Sequence, residues 1–246
     1  MKSWCHEKIS RLAGLRSFRN EFMRFNRMSL AASRPVADWS ERYPCLTDRT
    51  AATTFDRHYL YHLSWAARKL AERKPALHID VGSSLYFCSL VSAFVPVRFY
   101  DYRKAELNLS GLDSRQGDLN RLPLQDRSAE SVSCMHVIEH VGLGRYGDPL
   151  DPEGDLKAIR ELKRVVAPAG TLLIVVPVGR PRILFNAHRI YSYPEMMKNF
   201  EEFELKEFAL IPDHATDGDL LVNPDPGMVD RQDYACGCFQ FVRASQ

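Results

Sequence analysis

Ser128-Ala-Glu-Ser-Val-Ser-Cys-Met-His-Val-Ile-Glu-His-Val-Gly142 reads as a buried strand that stops abruptly in His136, Glu139 and His140. Burying ionisable groups costs several kcal/mol, as an order of magnitude, unless something pairs with them. A strand that ends in three of them marks the place where the chain does its chemistry.

Working outward on both sides, short apolar runs alternate with helical patterns. Upstream, Leu77 to Val81 is a strand ending at Gly82-Ser-Ser84, and Leu85 to Phe94 a buried helix. Val97 to Tyr100 is the next strand, ending at Asp101, and Leu112 to Gln116 another, ahead of Gly117-Asp118. Downstream come a helix from about Pro152 to Val166 and a strand from Thr171 to Val176, broken apart by Pro168 and Gly170. Strands alternating with helices argue for a parallel sheet covered on both faces. Phe203 to Ile211 and Ala235 to Arg243 have no helix between them and predict an antiparallel hairpin with a long insertion, Pro212 to Asp233.

In a doubly wound sheet, ligands bind outside the carboxyl ends of the strands near the topological switch point. Those ends are Asp80-Val-Gly-Ser83, Asp101, Gly117-Asp118 and His136 to His140. Gly82 permits a tight turn against a ligand, and the following helix N-terminus offers free N–H groups. Asp101 is placed to accept both hydroxyl protons of a ribose, and Asp118 to meet an adenine amino group. Each alone reads more readily as a turn residue. Together, in this order, they point to a nucleoside-bearing cofactor.

From these residues the span 76–243 resembles the class I S-adenosylmethionine-dependent methyltransferases. His78-Ile-Asp-Val-Gly-Ser83 resembles the first cofactor motif, Phe99-Tyr-Asp101 the ribose motif and Gly117-Asp118-Leu119 the adenine motif. Glu161 to Pro177 resembles the helix and strand that close the sheet, and the chain is also similar to a bacterial subgroup with Asp-x-Gly-Ser in its first motif. The resemblance implies an α/β, Rossmann-like, doubly wound seven-stranded sheet with a C-terminal antiparallel hairpin and helices on both faces. It implies S-adenosylmethionine as cofactor, with Asp80, Gly82, Ser83, Asp101, Asp118, Leu119 and His136 at its site. The family loop carries two further glycines where this chain has Ser83, Ser84, Leu85 and Tyr86. A nicotinamide dehydrogenase is disfavoured, because no G-x-G-x-x-G follows the first strand.

Val137-Ile-Glu-His-Val141 resembles the fourth-strand motif of methyltransferases acting on ubiquinone precursors and on RNA 2′-hydroxyls, in which Glu and His side chains hold a divalent metal. Ala187 to Glu195 resembles their later segment. The resemblance thus implies His136, Glu139, His140 and His188 as metal ligands, and such a set suits a transition metal. In the metal-free alternative Glu139 pairs with His140, His136 lines the cofactor pocket, and His140 or His188 is the general base. His136 to His140 is also literally H-x-x-E-H, the inverted zinc-peptidase motif. That chemistry needs a helix, and a strand followed by Gly142 and Gly144 leaves little room for one.

The rest of the chain bounds the function. The 246 residues are 45% hydrophobic and 26% charged, with a net charge of +2, so the whole is no polyanion trap. Residues 1–34 carry eight basic residues against Glu7 and Glu21, so this arm is +6 and the other 212 residues are left at −4, the difference from +2. Ile9, Leu12, Leu15, Phe18, Phe22 and Phe25 recur at helical spacing within it. A basic amphipathic helix lies on an anionic membrane surface or packs its stripe on its own domain. Residues 1–53 are read as arm and linker and 54–246 as the methyltransferase domain. A helix from Asp56 to Arg73, capped by Thr54 or Asp56, is expected to turn Leu60, Leu63, Ala67, Leu70 and Ala71 inward. His58, Tyr59, Tyr61 and His62 are then solvent-facing, with a site border as the alternative. Six scattered cysteines without a C-x-x-C pair indicate a reducing compartment. With no apolar run long enough to span a bilayer, the expectation is a cytoplasmic protein, peripheral to a membrane where the arm attaches it. The expected activity is O-methylation of a small-molecule or glycan hydroxyl, with loops 179–188 and 212–233 roofing the acceptor. A nucleic-acid acceptor is disfavoured, because only the arm is basic. The rival reading is a non-catalytic methyltransferase-like scaffold at a membrane surface.

Overall fold

The computed structural model describes residues 2–245, with side chains from residue 13 onward, so Cys5, Ile9 and Leu12 of the arm lie outside the described side chains. The chain divides into two compact units, residues 1–55 and 56–246. In the first, helix α1 (Lys2–Ala31) turns Phe18 and Phe22 onto Trp39, with ring centroids 6.1 and 4.9 Å apart. The Asn26 side chain bonds both the N–H and the carbonyl of Ala37, at 2.8 and 2.9 Å. Leu15 and Phe25, counted in the expected stripe, are exposed.

The second unit opens with α2 (Arg57–Arg73), capped by Asp56, whose carboxylate accepts from the Tyr59 N–H. The main sheet follows: β1 (His78–Val81), β2 (Val97–Asp101), β3 (Leu112–Gln116), β4 (Ala129–Met135) and β5 (Val166–Val178) run parallel. Helix α3 (Leu85–Val91) joins β1 to β2, and α4 (Gly154–Val165) leads directly into β5. A separate two-stranded ribbon, β6 (Arg182–Leu184) and β7 (His188–Ile190), precedes α5 (Tyr193–Asn199). The chain then enters β8 (Phe203–Ile211), the two-residue β9 (Leu221–Val222) and β10 (Ala235–Arg243). The sheet order is β3-β2-β1-β4-β5-β10-β8-β9.

The sheet therefore has eight strands, not seven. The insertion after β8 supplies the additional one, since Ala209 and Leu210 still have a free edge on which Leu221 and Val222 pair. The expected break at Pro168 and Gly170 lies within β5: Val166 pairs with Ala129, pairing resumes only at Thr171 against Ser131, and Ala169 between them has φ +56°. Helix α3 ends at Val91, three residues early, where i→i+3 bonds to Ala93 and Phe94 tighten the chain ahead of Pro96.

Alternation along β5 shows how the layers form. Leu172, Ile174 and Val176 face α4 and α5, and Leu173 and Val175 face α2 and α3. Both faces of the sheet are thus covered, and β5 is a continuous apolar run from Leu172 to Val178, as in buried parallel sheets. Between β3 and β4 there is no helix. Arg164 ties that connection down by bonding the carbonyls of Leu122 and Leu124, while Glu161 accepts from the Leu122 N–H.

One polar network lies within the sheet, between β1 and β4. His78 is wholly buried between the hydroxyls of Ser131 and Ser133, both at 2.8 Å, and Ser133 donates onward to the buried Asp80. Burial lowers the His78 and His62 imidazoles to about 3 and raises the Asp80 carboxyl to about 6. Below pH 6.5 the unfolded chain takes up two protons that these folded imidazoles refuse, which destabilises the fold. The folded Asp80 takes up one proton between about pH 6 and 3.8, which offsets half of the effect. From pH 6 to 4 these groups should remove about 1 kcal/mol of stability per pH unit. Urea unfolding at pH 7.5 and 5 checks this, and equal or higher stability at pH 5 contradicts it.

Candidate functional site

The carboxyl ends of β1 to β4 open into one cavity of about 400 Å³, lined among others by Gly82, Asp101, Asp118, Leu119, His136 and His140. It sits beside the switch point, where the chain leaves β1 outward through β2 and β3 and returns to β4 on the other side of β1. Gly82 has φ +69°, and a Cβ there would meet the Val137 methyls at 3.1 and 3.2 Å. A Cβ at Gly117 would lie 2.9 Å from the Tyr100 ring. Each glycine lets backbone reach the cavity where a side chain would block it.

Two residues expected at the cofactor do not reach the cavity. Asp80 is fully buried, spent on the Ser133 hydroxyl and the Ser83 N–H. Ser83 turns its hydroxyl to the Met135 N–H at 3.1 Å. Both hold the β1 loop against the end of β4 and so position Gly82. Asp101 and Asp118 each accept one backbone N–H, from Arg103 and Asn120 at 2.8 Å, which orients one oxygen and leaves the other for a ligand.

Past Met135 the chain takes a left-handed turn at His136, φ +56°, then a single 3₁₀ turn over Ile138–His140. The H-x-x-E-H residues therefore form no α-helix, because His136 is left-handed and only Ile138–His140 make a single 3₁₀ turn. Glu139 is fully buried; its Oε1 lies 3.0 Å from His136 Nδ1 and 3.8 Å from His140 Nε2, and its Oε2 has no partner. His140 Nδ1 donates to the Ala187 carbonyl at 2.6 Å, which sets the Nε2 side toward Glu139. His188 Nε2 is buried without a partner, and its ring lies 6.3 Å from that of His140. Burial lowers both the His140 and His188 imidazoles, so each is neutral and able to accept a proton near pH 7.

The four residues anticipated as metal ligands are neighbours without converging. Among the described residues the one set of three or more candidate ligands with atoms within 4.8 Å of one another is His58, His136 and Cys236. The set implied by resemblance is not brought together as ligands: its donor atoms form no such group, and Glu139 Oε1 is engaged by His136 Nδ1 at 3.0 Å.

Helix α2 is rotated relative to the expectation from its leucines. Leu60 is exposed, whereas His62, Trp65, Ala66 and Leu70 are buried. His58, Tyr59 and His62 pack on His136, with ring centroids 6.3, 5.7 and 4.9 Å away, so all three border the site; His62 is buried, and Tyr59 is also exposed to solvent. The available signal is the i, i+4 spacing of His58 and His62, which puts both on one helix face. Tyr234, from the end of the insertion, closes on His58 and His188 at 5.4 and 4.9 Å. Tyr146, Asp148 and Pro149 complete the cavity wall from a segment without periodicity.

Arg189 secures the turn. It is 5% exposed, sits against Asp155 at 3.5 Å, and bonds the carbonyls of Val141 at 2.7 Å, Pro152 at 3.3 Å and Glu139 at 3.4 Å.

A family model described as "Caenorhabditis protein of unknown function, DUF268" matches residues 125–209, the stretch from just before β4 into β8. An uncharacterized protein of Methanocaldococcus jannaschii is 27% identical over 146 residues, 56% of this chain and 59% of its own length. The chain thus spans less than two thirds of that curated relative. Among solved structures, a SAM-dependent methyltransferase of Thermotoga maritima aligns with a TM-score of 0.50 at 16% identity, over 75% of this chain and 89% of its own. The Burkholderia thailandensis 1,6-didemethyltoxoflavin-N1-methyltransferase, solved with S-adenosylhomocysteine, gives 0.52 at 11% identity over 75% and 79%. At these identities the likeness is one of fold. The fold is that of the class I S-adenosylmethionine-dependent methyltransferases.

Replacing Arg189 by Met should cost about 3–5 kcal/mol, because it strands the buried Asp155 carboxylate and frees three carbonyls. The Arg189→Lys substitution should not restore the loss, because an ammonium lacks the planar fork. Urea unfolding of the Arg189→Met and Arg189→Lys chains measures both, and a loss below about 1 kcal/mol would be inconsistent with this role.

Proposed function

We propose that the chain is an S-adenosylmethionine-dependent methyltransferase that methylates a hydroxyl of a small molecule or a glycan. The observation that carries this is the single cavity into which Gly82, Asp101, Asp118 and His140 all open, from four successive strand ends. In this reading Asp101 accepts the ribose hydroxyls, Asp118 and Leu119 meet the adenine, and Gly82 lets the backbone lie against the methionine part. S-adenosylmethionine supplies an electrophilic methyl group. The chain's task is to hold the acceptor in line with it and to remove a proton.

His140 is the candidate base. S-adenosylmethionine, when bound, would give up its methyl to the acceptor oxygen and keep the carbon–sulfur electron pair, which leaves the hydroxyl proton for the chain to remove. The hydroxyl proton passes to His140 Nε2, whose ring is oriented by the Ala187 carbonyl at its other nitrogen. The buried Glu139, 3.8 Å from that nitrogen, favours the imidazolium that forms. His188 and Tyr234 form the acceptor side, joined where Arg180 pairs with Asp233 across loops 179–190 and 212–234. The hydroxyl acceptor is supported by this neutral, histidine-lined wall, and the glycan option by the subgroup resemblance alone.

Calorimetry with S-adenosylmethionine is the deciding experiment. Binding is expected, and Asp101→Ala should weaken it about 10–100-fold, the loss of charge-assisted hydrogen bonds. No binding at millimolar cofactor would leave the non-catalytic scaffold reading in its place. With an identified acceptor, His140→Ala should lower kcat about 10²–10⁴-fold while cofactor affinity stays within a few fold.

The arm carries a separate part of the proposal. Leu15, Met23, Phe25, Met28 and Leu30 are exposed among the arginines of α1, which suits an anionic lipid surface. No described helix is long and apolar enough to cross a membrane. Sedimentation with anionic vesicles should retain the whole chain and lose it when residues 1–34 are removed. Equal sedimentation of both forms would count against lipid contact through the arm.

A further inference from the structure

We propose that His58, His136 and Cys236 form a zinc site at the edge of the cavity, separate from the histidine that serves as base. Their ligating atoms lie within 4.8 Å of one another, and they come from three elements: the first turn of α2, the end of β4 and the start of β10. His136 Nε2 and Cys236 Sγ are 3.5 Å apart. That is the edge of a tetrahedron with Zn–N of about 2.0–2.1 Å and Zn–S of about 2.3 Å. Two imidazoles and a thiolate are a donor set that selects zinc over magnesium or calcium.

Three further observations point to a metal and not to a chance cluster. The first is the hydrogen bond behind the ligand. His136 donates Nδ1–H to Glu139 at 3.0 Å, leaving Nε2 facing Cys236, the carboxylate–histidine arrangement that orients metal-bound imidazoles. The second is charge. Glu139 is wholly buried, and among the described residues its ion-pair partners are the two imidazoles alone, with no lysine or arginine. A divalent cation on His136 would compensate this carboxylate through the ring. The third is backbone. His136 adopts φ +56°, a conformation costly for a non-glycine residue, and from it the ring meets His58 and Cys236.

On binding, the Cys236 S–H bond breaks, its proton goes to solvent and the thiolate donates to the metal. Three protein ligands leave one coordination position for water. The site joins α2 to the two strands and thereby holds the aromatic wall of His62 and Tyr59 on His136. The inference stands on these ligands and not on the reading of the cavity as a cofactor site.

The test uses the full chain, stripped with a chelator and titrated with Zn²⁺ or Co²⁺. One zinc per chain is expected, bound more tightly than about 1 μM. The Co²⁺ form should display a thiolate-to-metal charge-transfer band that Cys236→Ser abolishes. His58→Ala should weaken zinc binding about 100-fold or more, and Glu139→Gln about 10–100-fold with the band retained. His188→Ala and Cys134→Ser should keep full affinity. Because Cys236 is in the core, circular dichroism checks its folding, and His58→Ala decides the matter if Cys236→Ser unfolds. Absence of stoichiometric zinc in the wild-type chain overturns the site. So does unchanged affinity in His58→Ala, or a loss in His188→Ala.

Discussion

The buried carboxylate of Glu139 is the constraint on which the rest of the site depends. It is sealed from solvent, and among the described residues no basic side chain pairs with it, so the surrounding structure has to present imidazoles. His136 and His140 do so from either side, which is only feasible because the chain leaves β4 in a left-handed turn and closes a single 3₁₀ turn behind it. That turn is strained and short, and its carbonyls are held from outside by Arg189. Polar burial at one strand end is thus compensated by a strained turn, a buried arginine and a layer of histidines.

The fold explains why this concentration of polar groups is tolerated at that place. The end of β4 lies at the switch point of the sheet, where no neighbouring crossover covers it. Below it the sheet is apolar on both faces, apart from the His78–Ser133–Asp80 chain that binds the β1 loop from beneath. The groups that line the cavity therefore rest on a rigid layer: Asp80 and Ser83 under Gly82, Arg189 under the Ile138–His140 turn. A fold of this class hosts many reactions, and the segments 179–190 and 212–234 beside the histidine cluster are where chains of one fold are free to differ.

Much of the architecture is legible in the residues. Strands β8 and β10 lie where the apolar runs place them, because a run of alternating or continuous apolar residues bounded by polar turns has few other solutions. The α2 face departs from its pattern for a physical reason. Hydrophobicity assigns the leucines inward, but Trp65 finds Glu207 at 2.7 Å and the histidines find each other, which rotates the helix. The two-residue β9 carries too little pattern to be seen, and exists because β8 leaves an edge to be paired.

Sequence by itself determined the alternating α/β order, the four polar strand ends and the cluster at His136 to His140, all of them local properties of pattern and spacing. Only the tertiary structure decided which of those polar residues reach the cavity and which support it. It buried Asp80, turned the Ser83 hydroxyl onto the Met135 N–H, left Asp101 and Asp118 open, and brought His58 and Cys236, 178 positions apart in the chain, to the same imidazole. The reason is that side-chain partnership in a buried polar cluster depends on chain crossings between distant elements, which no local periodicity records.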